Sequence, residues 1–161
     1  MSEQNLKTSL LGFSLNSPLM GASGTFGYGV EYAHMVELPK LGAVCGKGLT
    51  LHGQYGNEGE RLWETPSGLI NSIGLQNPGV QHFIDNELPD MLGMGCAAMA
   101  NLGGSTIETY EEGARLLDKT AIDFIELNIS CPNVKAGGIA YGVKAESARE
   151  AVSRVRKCTT K

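Results

Sequence analysis

The 161-residue sequence contains no apolar run approaching the ~18–20 residues that a membrane-spanning helix needs. Its first ten residues, MSEQNLKTSL, lack the basic stretch and apolar core of a secretory leader, so a cytoplasmic protein is expected. Positive charge is also in short supply. Thirteen Lys and Arg are scattered against 17 Asp and Glu, a formal charge of -4, which excludes the basic stripe that nucleic acid or an anionic membrane demands. Clustered metal ligands are missing. Cys45, Cys96, Cys131 and Cys158 form no CxxC pair and His34, His52 and His82 stand apart. Neither a metal nor an iron–sulfur centre is expected within the chain, and its thiols are expected to be reduced.

The phosphate and nucleotide fingerprints fail as well. CGKGLT (45–50) departs from the P-loop because Leu41 stands where the first glycine belongs and Gly48 follows the lysine. GASGTFGYG (21–29) places Gly24, Gly27 and Gly29 at spacings that give neither G-x-G-x-x-G nor a nucleophile elbow. Asn128-Ile129-Ser130 has the form of a glycosylation sequon, but a chain expected in the cytoplasm gives it no use.

What is present is a core-forming composition, 42% hydrophobic, punctuated by 22 glycines and free of low-complexity segments, so residues 1–161 are expected to belong to one domain. LKTSLLGFSLNSP (6–18) predicts a hairpin around Gly12. Strands are expected in LMGASG (19–24), GAVCGKGLT (42–50), GCAAMANLGG (95–104) and AIDFIELNIS (121–130). Helices are expected at 31–38, 80–92, 105–120 and 144–158. The third of these starts with Ser105 as cap and Glu108 three residues on, and carries Tyr110, Ala114 and Leu117 on one face. Residues 52–77 read as a loop with a strand or two. Four strand-then-helix units imply a parallel sheet, which an open doubly wound sheet and half of a (β/α)8 barrel satisfy equally. In both, the site lies above the carboxyl ends of the strands, where Ser23, Lys47, Asn101, Asn128 and Cys131 fall.

Cys131 differs from the other cysteines, which read as small buried hydrophobes. It follows its strand, Pro132 restricts its backbone to extended conformations, and Asn128 and Asn133 flank it with amides. Such a thiol can serve as base or nucleophile, while no Cys/His/Asn spacing supports a protease-like dyad.

Four segments, ASGTFGYG (22–29), GKGLT (46–50), NSIGLQNPG (71–79) and ELNISCPN (126–133), resemble in this order the signature segments of the class 1 dihydroorotate dehydrogenases. The loop NVKAGGIAYG (133–142) is similar to the NAD-linked class 1B. The resemblance implies a (β/α)8 TIM barrel, with about the first four βα units present after an N-terminal β-hairpin. It implies FMN-dependent oxidation of dihydroorotate to orotate in pyrimidine biosynthesis. Cys131 is then the base that removes the C5 proton. Ser23, Lys47, Gly48, Asn101 and Asn128 are the implied flavin contacts, and Lys47, Asn71, Ser72, Ile73, Gly74, Leu75, Asn128 and Asn133 the implied substrate contacts. A homodimer and an electron-transfer subunit carrying FAD and a 2Fe-2S cluster are the implied partners.

The same resemblance puts a further flavin lysine on a fifth strand and the flavin phosphate at strands seven and eight. The 161 residues alone are therefore expected to bind FMN weakly and to lack turnover. A dihydropyrimidine dehydrogenase-like flavin reductase and a non-catalytic, self-associating fragment are the alternatives.

Overall fold

Two adjacent residues with positive φ, Leu11 at 51° and Gly12 at 83°, reverse the chain near its start. Positive φ at both central positions is what a type I′ hairpin turn requires, and here it joins β1 (Thr8–Leu10) to β2 (Phe13–Leu15) in antiparallel register. The computed structural model describes residues 6–131 and 138–161.

After β3 (Met20–Gly21) the expected helix 31–38 is replaced by two 3-10 turns, Val30–Tyr32 and Leu38–Lys40. The segment is pinned between Gly29, at φ 93°, and Pro39, and a helix confined to two turns gains too few hydrogen bonds to offset nucleation. The next strand, β4 (Ala43–Cys45), is fully buried. Residues 52–77, expected as mostly loop, form a nested hairpin. In it β5 (His52–Gln54) pairs with β8 (Asn77–Gly79) outside the pair β6 (Leu62–Thr65) and β7 (Gly68–Asn71). The expected helix 80–92 is cut into α1 (Val80–Asn86) and α2 (Leu88–Leu92). Pro89 has no N–H to give to the carbonyl of Asp85, which explains the break.

β9 (Ala97–Leu102), α3 (Ile107–Asp118), β10 (Phe124–Leu127), α4 (Ile139–Gly142) and α5 (Ala145–Arg156) complete the order. The capping box of α3 lies one residue beyond the expected Ser105 and Glu108. The Thr106 hydroxyl accepts from the Thr109 N–H at 3.4 Å, and the Thr109 hydroxyl accepts from the Thr106 N–H at 3.2 Å. No helix among the described residues is long and apolar enough to cross a membrane.

The strands β3, β4, β9 and β10 lie side by side in one parallel sheet in chain order. Side chains alternate across a strand, so each strand divides its residues between two faces. Val44, Ala98, Ala100 and Leu102 pack with Val80 and Phe83 of α1, Met91 of α2, Tyr110, Ala114 and Leu117 of α3 and Val155 of α5. Ala43, Cys45, Ala97, Met99 and Phe124 form a second cluster on the opposite face with Leu15 of the first hairpin and no helical residue. Phe13 meets the Phe124 ring edge-on at 5.2 Å. Helices on one face only are the layering of a barrel wall. A doubly wound sheet would carry them on both.

Gly42 ties this wall to the hairpin. Its N–H donates to the Leu19 carbonyl and its own carbonyl accepts from Ala97, leaving an added Cβ pressed against the Ser17 carbonyl oxygen. At Gly103, by contrast, a Cβ would meet the Leu49 carbonyl oxygen at 3.4 Å, an ordinary contact. Gly42→Ala is therefore expected to lower the urea midpoint by the equivalent of at least about 1–3 kcal/mol, the usual cost of overpacking. Gly103→Ala is expected to cost clearly less, and equal midpoints for the two variants would dismiss the Ser17 contact as the cause.

Candidate active site

The alternation that builds the two faces also stacks the inner one in layers. Cys45, Met99 and Phe124 lie level with one another, because Cys45 pairs with Met99 and Met99 with Phe124. Two residues further toward the carboxyl ends, Asn101 pairs with Glu126. Beyond β10, Asn128 continues the same parity. The apolar layer thus ends where an amide and a carboxylate begin.

The polar layer is internally bonded. Asn101, only 4% exposed, donates from Nδ2 to Glu126 Oε1 at 2.5 Å and accepts at Oδ1 from Asn128 Nδ2 at 3.0 Å. This orientation follows from chemistry, since only the nitrogen of an amide can donate to a carboxylate. Cys45 Sγ donates to the same Glu126 oxygen at 3.5 Å. Burial first, and then the facing Glu126 carboxylate, push the Cys45 thiol up to about 12, so it stays protonated and able to donate. The Ser23 hydroxyl donates to the Gly46 carbonyl at 2.9 Å. Ser23, Asn101, Glu126, Asn128 and Ser130 are among the residues that line a cavity of about 450 Å³.

Asn128 also shapes the backbone that leads to Cys131. Its Oδ1 accepts from the Ser130 N–H at 3.3 Å and from the Cys131 N–H at 3.2 Å, an Asx-type turn. Its carbonyl accepts the Tyr110 hydroxyl of α3 at 2.7 Å. The Cys131 carbonyl accepts from the Ile139 N–H at 3.1 Å, and the residue is half-buried with a free thiol. Asn133, expected at the substrate, lies outside the described residues, as do Pro132 and the rest of 132–137.

Lys47 is half-buried and opens on a different cavity, of about 620 Å³, whose lining includes Tyr28, Gln54, Gln76, Asn77 and Glu87. The Tyr28 hydroxyl is buried and has no hydrogen-bond partner among the described residues. Burial, then Glu87 and Glu31, push its pKa up. Gly48 faces the first cavity's residues. A Cβ there would stand 3.0 Å from Asn101 Oδ1, 3.4 Å from the Leu75 side chain and 3.8 Å from Asn128 Nδ2. Leu75, held at φ 55° next to Gly74 at 74°, thus borders the same glycine as the Asn101–Asn128 pair. Ser72 and Ile73 are bonded to Asn57, through its Nδ2 at 2.8 Å to the Ser72 hydroxyl and through its N–H at 3.1 Å to the Ile73 carbonyl. Asn71 stays exposed in β7 opposite Leu62. Ser23, Asn101 and Asn128 thus line one cavity, Gly48 borders the Asn101–Asn128 pair and Leu75, and Cys131 joins through its backbone bond to Asn128, while Lys47 lines the other cavity and Asn71 neither of the two.

Sequence reasoning passed over Glu126, Tyr110 as a site anchor, Cys45 and Tyr28. For Glu126 a signal existed, since it shares strand parity with Phe124 and Asn128. Among the described residues no three His, Cys, Asp or Glu side chains gather as a metal site.

Comparison with known proteins agrees with this architecture. A family model described as Dihydroorotate dehydrogenase matches residues 5–161. The chain is 48% identical over 155 residues to a Petrotoga mobilis protein named Dihydroorotate dehydrogenase B (NAD(+)), catalytic subunit, covering 96% of this chain and 52% of that protein. It is 45% identical over 157 residues to the protein of the same name from Thermoanaerobacter pseudethanolicus, covering 98% of this chain and 52% of that protein. The chain thus spans about half the length of the curated relatives it matches. Its structure superposes on the crystal structure of DHODH from Eimeria tenella in complex with ferulenol with a TM-score of 0.69 at 19% identity, covering 98% of this chain and 45% of that one. That likeness is one of fold, and it identifies the four-stranded sheet as part of the wall of a (β/α)8 TIM barrel. With a family model matched over residues 5–161 and the barrel-wall layering to accompany it, the chain belongs to the dihydroorotate dehydrogenase family.

Proposed function

We propose that this chain is the part of a cytoplasmic class 1B dihydroorotate dehydrogenase that carries the base and much of the flavin and substrate contact surface. The reaction is the oxidation of dihydroorotate to orotate in pyrimidine biosynthesis. The observation that carries the reading is the Cys131 backbone, held just after β10 by the turn at Asn128, whose side-chain amide is in turn bonded to Asn101.

The residues fit a flavin. A polar rim of hydroxyl, amide and carboxylate stands over an apolar floor, and Gly48 leaves open the space that a Cβ would fill beside Asn101. Ser23, Lys47, Gly48, Asn101 and Asn128 would hold FMN, which when bound supplies the acceptor for the C6 hydride of dihydroorotate. Lys47, Asn71 to Leu75, Asn128 and Asn133 would hold the substrate. The Lys47 cation favours the negative charge that develops as the C5 proton leaves. Cys131, as thiolate, takes that proton onto sulfur and later passes it to water. The Asx-type turn fixes the backbone from which the thiol projects, which is the preorganisation a proton transfer needs.

Two expectations test this in the full-length protein. Cys131→Ala lowers dihydroorotate-dependent dye reduction by ~10²–10⁴-fold, the usual worth of a positioned base, and leaves flavin binding intact. Cys131→Ser is slow and recovers as pH rises, because a hydroxyl is a far weaker acid than a thiol. Near-parental turnover in the alanine variant, or a flat pH profile in the serine variant, removes Cys131 from the role.

The electron path calls for company. The relatives' name, catalytic subunit, supports a second subunit, and the proposed protein is a homodimer bound to one that carries FAD and a 2Fe-2S cluster. Purified without that subunit it is expected to reduce artificial dyes and not NAD. NAD reduction by the purified chain acting alone would overturn the partner assignment.

A further inference from the structure

Asn101 is buried, and a buried side-chain amide is costly unless its donor and acceptor ends find partners; its donor is met by Glu126, an exposed residue of β10 on the same face as Phe124. Glu126 itself accepts from two donors on two different strands. Asn101 Nδ2 approaches from β9 at 2.5 Å and Cys45 Sγ from β4 at 3.5 Å, both at Oε1. The carboxylate therefore fastens three neighbouring strands on their inner face.

From Glu126 the bonds run in one direction. Asn101 uses its nitrogen on Glu126, which leaves its oxygen for Asn128 Nδ2 at 3.0 Å. Asn128 in turn has only its oxygen left for the turn, and that oxygen holds the Ser130 and Cys131 amides at 3.3 and 3.2 Å. Each amide has two ends of opposite hydrogen-bonding character, so the end committed to one partner decides the end offered to the next. Without an acceptor at 126, Asn101 gains by turning its oxygen elsewhere, and Asn128 then loses the acceptor that orients it.

We infer that Glu126 is a positioning residue: its carboxylate sets the amide orientation of Asn101, hence that of Asn128, and so the backbone geometry of the turn that presents Cys131. What matters is the reach of an acceptor to Asn101, more than the negative charge. The structural inference stands on the hydrogen bonds alone, and only its kinetic consequence rests on the proposed function.

Reach and charge separate in two conservative variants. Glu126→Gln keeps the side-chain length and an acceptor oxygen and removes the charge. Glu126→Asp keeps the charge and withdraws the acceptor by one methylene. Side-chain amide exchange at Asn101 and Asn128, followed by nitrogen-15 NMR on the full chain without flavin, is expected to accelerate about tenfold or more in Glu126→Asp, as a local opening would give. In Glu126→Gln it is expected to stay near the parent, and the backbone amides of β9 stay protected in both. The inference is overturned if Glu126→Asp matches the parent, if Glu126→Gln accelerates as much as Glu126→Asp, or if β9 loosens together with the side chains.

The kinetic arm uses the full-length protein. There Glu126→Asp is expected to lower kcat for dihydroorotate oxidation by roughly tenfold or more, a loss of the size that a small misplacement of a reacting group brings, with a smaller change in KM. A change confined to KM would overturn the link to Cys131. A parent that oxidises no dihydroorotate would defeat the proposed function, while the exchange measurement still decides the role of Glu126.

Discussion

The site depends on the parallel register that sets Glu126 opposite Asn101. Strand side chains alternate with a period of two, so this pairing also sends Phe124 and Met99 to the inner floor and Ile125 and Leu127 toward the helices. A slip of one residue would invert the whole set. It would drive the Glu126 carboxylate into the cluster of Leu102, Tyr110 and Leu117 and leave Phe124 without its layer. Local bonds guard against that slip. Asp123 accepts the Ala98 N–H at 2.8 Å on its carboxylate and donates its own N–H to the Ala98 carbonyl at 3.1 Å, fixing β10 to β9 just before the strand begins.

The floor matters to the chemistry above it. Leu15, Cys45, Met99 and Phe124 exclude water beneath the buried Asn101, and a hydrogen bond made in such surroundings is stronger and more costly to leave unmade. The first hairpin supplies part of this floor through Leu15 and through Phe13 against Phe124. An element that precedes the sheet and carries none of the candidate site residues thus contributes to the site by closing the end opposite to it.

Much of this was legible in the residues themselves. Buried runs followed by amphipathic ones announced the four parallel strands, and the polar residues after them, Ser23, Asn101, Asn128 and Cys131, were recognisable because an amide or thiol ending an apolar strand has little structural reason to be there. Other features depended on partners that no local window contains. Amphipathicity says that α3 has a buried face, but not which face of the sheet covers it, so by itself it does not separate a barrel wall from a doubly wound sheet; among the described residues the helices pack on one side. The helix expected at 31–38 was lost to its boundaries at Gly29 and Pro39, and the one at 80–92 to Pro89. Glu126 is solvent-facing, as a charged strand residue reads, and its bond to the buried Asn101 depends on a neighbouring strand that no local window contains.

Lys47 and Gly48 show how adjacent residues of one loop divide their work. Lys47 opens on the cavity lined by Gln76 and Asn77, whereas Gly48 borders Asn101, Asn128 and Leu75. The segment 71–77 does the same in reverse, placing Leu75 beside Gly48 and Asn77 beside Lys47. Asn77 is buried and its oxygen accepts from the Thr50 N–H at 3.0 Å, while its nitrogen donates to the Leu75 carbonyl at 2.8 Å. That amide therefore couples the loop after β4 to the strand β8, and the Val80 N–H, donating to the Thr50 carbonyl at 3.0 Å, ties the same loop to the start of α1, so the loop that carries Lys47 and Gly48 is fixed by the segment that ends in Asn77.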